Sequence, residues 1–176
     1  MMNLRELPRL LRVQFTPIMI APVVLGGAGA AYFEHSFASV YFLLALVGAI
    51  SLHLAANGID DAYDFVNGTD GAAERMLPQE TPGWKPIPRG VFSLGQAFAV
   101  SYLLYGISLA IGVLLSLLVG WFAIAIAVPG ILLSYFYTAP PLKLDYRGMG
   151  LGELSVLFSF GPIPALGAAF VASGSV

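Results

Sequence analysis

The residues best equipped for chemistry form one run: Asn57-Gly58-Ile59-Asp60-Asp61-Ala62-Tyr63-Asp64-Phe65-Val66-Asn67-Gly68-Thr69-Asp70. A helix turns about 100° per residue, so Asn57, Asp60, Asp61 and Asp64 fall within about a third of its circumference. Carboxylates set this close repel, and a helix keeps them when a cation or water neutralises them. Mg²⁺ suits hard oxygen ligands and is commonly held by one or two carboxylates plus substrate phosphates. Asp61 and Asp64 are spaced i, i+3, and Asp60 and Asp64 i, i+4, so adjacent turns present oxygens to bridging metals. Asn57 adds a neutral oxygen or a hydrogen bond. Gly68 is expected to end the helix in the left-handed conformation, leaving Asp70 in the loop as a further ligand. The bland alternative is a solvated acidic helix end outside the lipid. Ionisable residues at or within apolar spans favour the functional reading. His53, one turn earlier on the same face, is either a packed polar residue or a substrate contact.

Two basic loops flank this face. The Phe65–Ser93 segment contains Trp84-Lys85-Pro86-Ile87-Pro88-Arg89-Gly90. Its prolines stiffen it, and Lys85 and Arg89 either meet a phosphate or anchor the loop at anionic lipid. The second loop runs Tyr135-Phe136-Tyr137-Thr138-Ala139-Pro140-Pro141-Leu142-Lys143-Leu144-Asp145-Tyr146-Arg147-Gly148. Pro140-Pro141 stops a helix. Its tyrosines suit a membrane interface, and Lys143 and Arg147 are candidate phosphate donors. An acidic, metal-ready face opposite basic loops fits a lipid diphosphate, its head at the surface and its tail between helices.

The elements that position these residues are apolar. The chain has 176 residues, 58% hydrophobic and 10% charged, with mean hydropathy +0.83. A soluble domain carries about 25% charged residues, so an ordinary soluble enzyme and a disordered chain are excluded. A net charge of -2 leaves no basic footprint for nucleic acid. The absence of cysteine excludes disulfides, thiolate catalysis and Cys-ligated metals. An all-α integral membrane protein remains. Five apolar runs approach the ~20 residues of a span: Thr16–Phe33, Phe37–Ala56, Leu94–Leu118, Trp121–Thr138 and Gly152–Val171. Gly26, Gly27 and Gly29 in the first allow close helix packing. The eight basic residues are Arg5, Arg9, Arg12, Arg75, Lys85, Arg89, Lys143 and Arg147. All precede the first run or lie in the two long loops, while the connections near Glu34–His35 and Val119–Gly120 have none. Positive-inside bias therefore places the N-terminus and both loops in the cytoplasm of a cell (inner) membrane.

Several motifs resemble the UbiA superfamily of intramembrane aromatic prenyltransferases. Asn57 with Asp61, Asp64 and Asp70 is similar to its first Asp-rich motif, and Pro86-Ile-Pro-Arg-Gly90 to the segment that follows. Arg12 with Thr16-Pro17 and Ala21-Pro22-Val-Val-Leu-Gly26 is similar to its approach to the first helix. Tyr137-Thr-Ala-Pro-Pro-Leu-Lys-Leu-Asp-Tyr-Arg-Gly148, Gly150-Leu-Gly-Glu153 and Phe160-Gly-Pro162 resemble most the branch that includes 1,4-dihydroxy-2-naphthoate polyprenyltransferase. The likeness runs from Arg12 to about Gly167. The spacing between Tyr146 and Glu153 is longer than usual, and no second Asp cluster follows Asp145.

The resemblance implies Mg²⁺-dependent transfer of a polyprenyl group from its diphosphate to an aromatic acceptor, in the naphthoate branch with loss of the ring carboxylate, as in menaquinone synthesis. It implies a bundle of about nine helices, of which residues 1–176 form a single, incomplete transmembrane domain corresponding to the N-terminal part. Asp61 and Asp64 are expected at Mg²⁺ and diphosphate, with Asp60 and Asp70 as further metal ligands and Asn57 in support. Lys143, Arg147 and Arg89 are diphosphate candidates. Tyr137 and His53 are substrate-contact candidates. Membrane lipid is the expected surrounding partner. The rival readings are a catalytically incomplete membrane scaffold or half-protein, transfer to another aromatic or lipid acceptor, and a cation carrier.

Overall fold

The computed structural model describes residues 3–35, 37–70 and 84–174, and no strand occurs among them. Arg75, expected on the basic side, lies outside the described residues. Short helical turns precede and follow α1 (Leu7–Leu10), and five longer elements come next: α2 (Thr16–Phe33), α3 (Ser39–Asn67), α4 (Leu94–Val119), α5 (Phe122–Phe136) and α6 (Leu151–Phe160). The last is α7 (Pro162–Ser173). By length and composition, four stretches can cross a membrane: Val13–Phe33, Ser39–Asn67, Leu94–Val119 and Leu151–Ser173. Their residues remain largely unburied within the protein, and large apolar side chains such as Leu25, Leu103, Leu117 and Leu157 stand exposed. Such a surface is stable against hydrocarbon and unfavourable in water.

As the sequence implied, α3 carries the acids and runs to Asn67, where Gly68 closes it with φ +80°; two other runs depart from the sequence expectations for physical reasons. The Gly68 and Thr69 amides, 3.2 Å from the Phe65 carbonyl and 3.1 Å from the Asp64 carbonyl, satisfy the last turn. The fourth run yields only 15 helical residues, α5. At 1.5 Å per residue that is about 22 Å, short of a hydrocarbon core about 30 Å thick. The fifth run is broken. Gly161 leaves helical geometry (φ -119°, ψ -104°) and α7 restarts at Pro162, because the residue before a proline avoids the helical region.

Small residues set the packing. A Cβ on Gly26 would collide with the Ala165 backbone, so α2 and α7 touch main chain to main chain. At the acidic end, Leu10, Ala62, Ile87, Phe92 and Ala97 form a buried cluster that fastens the N-terminal segment and the Trp84–Ser93 loop to α3 and α4. Ser93 starts α4 with a capping box, its hydroxyl accepting from the Gln96 amide. At the other end, Leu115, Val119, Ala123 and Val171 join α4, α5 and α7.

Candidate metal and diphosphate site

The helical arithmetic places the acids together. One oxygen each from Asp60, Asp61 and Asp64 lies within 4.8 Å of the others. Asp61 is buried, with 2% of its side chain exposed, while Asp60 and Asp64 are 17% exposed. A carboxylate that deep requires a paired charge, and the protein supplies two. Arg12 donates from Nη1 to Asp60 at 3.1 Å and from Nη2 to Asp61. Lys85 Nζ lies 2.7 Å from Asp64, 2.7 Å from Asp70 and 3.5 Å from Asp61.

Local structure explains why these cations arrive. Arg12 adopts a left-handed conformation, φ 48° and ψ 45°, between α1 and the turn at Val13–Phe15. That geometry is costly for a non-glycine residue, and the two carboxylates hold it there. Burial alone lowers the Arg12 pKa, but Asp61 and Asp60 more than offset this and hold it above its ordinary value. Lys85 sits between Trp84 and Pro86, both buried, in a turn closed by the Val91 amide 3.0 Å from the Pro86 carbonyl. Burial again opposes its charge, and the hydrogen bonds to Asp64 and Asp70 prevail, leaving its pKa raised.

The second loop closes over the same face. Tyr146 donates its hydroxyl to Asp64, and burial together with that bond raises the tyrosine pKa. Lys143, also left-handed at φ 46°, places Nζ 2.7 Å from Asn67 Oδ1, at the end of α3. Arg147 turns away from the acids: its guanidinium donates to the Pro141 carbonyl at 3.3 Å and to Leu142 within its own loop. Arg89 stacks over Trp84 at 4.8 Å, on a ring that also meets Arg9 at 4.3 Å. Asn57 donates from Nδ2 to the Leu11 carbonyl at 3.1 Å and lies 3.2 Å from His53 Nε2. It thus ties α3 to the N-terminal segment.

Arg12 and Lys85 as counterions, and Tyr146 on Asp64, are contacts that sequence reasoning missed. The usable signal was the excess of acid in the Asn57–Asp70 run, which requires compensation from elsewhere.

Below this rim lies an open apolar cavity of about 230 Å³, walled by α2, α3, α4, α5, α6 and α7. Arg12, Asn57, Asp60 and Tyr137 stand at its polar end, and Leu115 and Val171 at its far end. The donor set fits Mg²⁺. Octahedral coordination at about 2.1 Å places oxygens within about 4.2 Å of one another. Carboxylates already within 4.8 Å need only a slightly closer approach, with partial release from Arg12 and Lys85.

The sequence profile of the UbiA prenyltransferase family matches residues 19–176. A 1,4-dihydroxy-2-naphthoate octaprenyltransferase of Mycobacterium tuberculosis is 35% identical over 157 residues, 89% of this chain and 50% of that protein. A Bacillus subtilis protein of the same name is 26% identical over 160 residues, 87% of this chain and 48% of that protein. The UbiA prenyltransferase domain-containing protein 1 of Dictyostelium discoideum is 28% identical over 151 residues, 83% of this chain and 43% of that protein. The chain therefore spans about half the length of the curated relatives it matches. No solved structure matches it at a significant level. With an all-helical apolar bundle and a profile match over most of its length, the chain belongs to the UbiA prenyltransferase family.

Proposed function

We propose that the chain binds a prenyl diphosphate with Mg²⁺ at the Asp60–Asp61–Asp64 rim and serves transfer of the prenyl group to an aromatic acceptor. The acceptor we favour is a 1,4-dihydroxy-2-naphthoate, the substrate class named in the bacterial relatives. The observation that carries this reading is the convergence of three carboxylates at the mouth of an apolar cavity. Mg²⁺, when bound, supplies positive charge for the departing diphosphate.

The chain's own residues do the rest. Asp61 and Asp64 are the principal metal ligands, Asp60 flanks them, and Asp70 acts through Lys85. Arg12 and Lys85 hold the carboxylates in place before substrate arrives. Lys143, whose Nζ donates to Asn67 at the end of α3, is the residue assigned to a phosphate oxygen in this reading. As the allylic C–O bond breaks, its electron pair leaves with the diphosphate, and fixed cations at that point lower the barrier. The apolar walls below exclude water, which would otherwise capture the allylic carbon in place of the ring carbon.

Membranes carrying the chain are incubated with farnesyl diphosphate, Mg²⁺ and a panel of aromatic acids, and products are read by mass. Mn²⁺ binding in the presence of the diphosphate is followed in parallel by electron paramagnetic resonance. Asp61→Asn with Asp64→Asn is expected to abolish both signals. Unchanged Mn²⁺ binding or unchanged product in that variant overturns the reading.

One observation favours a second reading. Each described acid of the rim is already paired with Arg12 or Lys85, so the cluster can serve as a structural ion-pair network alone. That reading predicts no Mn²⁺ binding by the parent chain, and only lowered thermal stability in the variant.

A further inference from the structure

His53 lies one helical turn deeper on α3 than Asn57 and is 3% exposed. Its hydrogen-bonding state follows from its neighbours. Asn57 Nδ2 is 3.1 Å from the Leu11 carbonyl, which can only accept. The atom facing that carbonyl is therefore the amide nitrogen, and its second hydrogen points at His53 Nε2, 3.2 Å away. Nε2 must then accept, which places the imidazole hydrogen on Nδ1. Nδ1 is buried and has no hydrogen-bond partner among the described residues, and His53 lines the apolar cavity. Buried donors are almost always satisfied, so an orphan on a side chain that lines a cavity requires an explanation. The hydroxyl of Ser159, which lines the same cavity, is also without a partner.

The chemistry of the two substrates separates them. A prenyl tail is hydrocarbon and offers no acceptor atom. A hydroxylated aromatic acid offers several. A cavity of about 150 Å³ holds benzene, and this one, at about 230 Å³, has room for a two-ring arene at its polar end. Phe160 stands edge-to-face with His53, centroids 5.5 Å apart, and adds an aromatic wall.

We infer that His53 positions the aromatic acceptor, its Nδ1–H donating a hydrogen bond to a hydroxyl or carboxylate oxygen of a naphthoate-class arene seated below the carboxylate rim. The identity of this ligand as the acceptor rests on the prenyl-transfer reading above.

Two substitutions divide the imidazole into its halves. In His53→Asn the side-chain amide nitrogen reaches the place of Nδ1 and retains a donor towards the cavity. In His53→Gln the amide reaches the place of Nε2 and retains a partner for Asn57, with no donor at Nδ1. The full chain in nanodiscs is titrated with 1-hydroxy-2-naphthoate and with naphthalene, and separately with Mn²⁺ plus farnesyl diphosphate. His53→Gln is expected to weaken hydroxynaphthoate binding about tenfold, His53→Asn to retain it within about twofold, and neither to change naphthalene or Mn²⁺–diphosphate binding. Equal weakening of hydroxynaphthoate and naphthalene in His53→Gln means a packing role and overturns the inference. So does unchanged hydroxynaphthoate binding in His53→Gln, or a parent chain that binds Mn²⁺–diphosphate but no oxygenated arene. Loss of Mn²⁺–diphosphate binding from the parent itself instead defeats the prenyl-transfer reading.

Discussion

At the scale of single residues, the site is an account of charge. Spacing along one helix was enough to bring Asp60, Asp61 and Asp64 together. It could not show that Arg12, 49 positions from Asp61, closes the ion pair, because nothing local in either segment encodes a contact between them. Arg147 and Arg89 illustrate the converse: basic residues in the right loops that engage a loop carbonyl and a tryptophan face. Arg12→Ala leaves Asp61 buried with one counterion fewer, and breaking such a pair is destabilising. With Arg12 partly exposed, a loss of about 2 kcal/mol is expected in thermal unfolding of the solubilised chain. Arg12→Lys, a single ammonium in place of a two-pronged guanidinium, recovers only part of it. Lys85 makes a prediction in pH. Its pKa is raised on folding, so its stabilisation is complete below its unfolded value and is lost only as pH rises through the higher folded value. From about pH 8 upward the stability gap between parent and Lys85→Met should hold, narrowing only in strong alkali. A gap that closes between about pH 8 and about pH 9 would show that Lys85 is not held charged by the acids.

Among the elements, the apolar runs were legible as helices because lipid demands internally satisfied backbone, and α2 and α4 begin where hydropathy begins. The reach of α3 was legible too: polarity marks the end of the apolar run, and Gly68 the left-handed end of the helix that carries the acids. Pro129 lies within α5, while Gly161-Pro162 breaks the fifth run; hydropathy alone does not distinguish a tolerated proline from a terminating one. The crossing of α2 and α7 gives a sharper test of packing. Gly26 faces the Ala165 main chain, whereas nothing lies within 4 Å of a Cβ on Gly29. Gly26→Val must push the two helices apart and should lower stability by about 1–3 kcal/mol, as overpacking does. Gly29→Val places its side chain in open space and should change thermal stability by less than about 1 kcal/mol. Equal effects at the two positions would mean that the crossing does not set the spacing of these helices.

At the scale of the molecule, the two ends differ in charge. Arg12 and Lys85 meet the acids, and Lys143 the Asn67 side chain, at the end where α3 finishes. The opposite end carries Trp121, the start of α3 and the close of α7, linked by the Ala38 amide at 2.7 Å from the Ala172 carbonyl. Basic residues resist translocation, so the fold and its charge together predict one orientation, with the carboxylate rim on the cytoplasmic face of the cell membrane. The chain contains no cysteine, which makes single-cysteine labelling unambiguous. Thr69→Cys marks the rim, and Trp121→Cys, at a side chain 73% exposed, marks the far end. A membrane-impermeant maleimide added to intact spheroplasts should label Trp121→Cys and leave Thr69→Cys untouched until the membrane is opened. Inverted vesicles should reverse the pattern. Labelling of Thr69→Cys in intact spheroplasts would place the rim outside and defeat the predicted orientation.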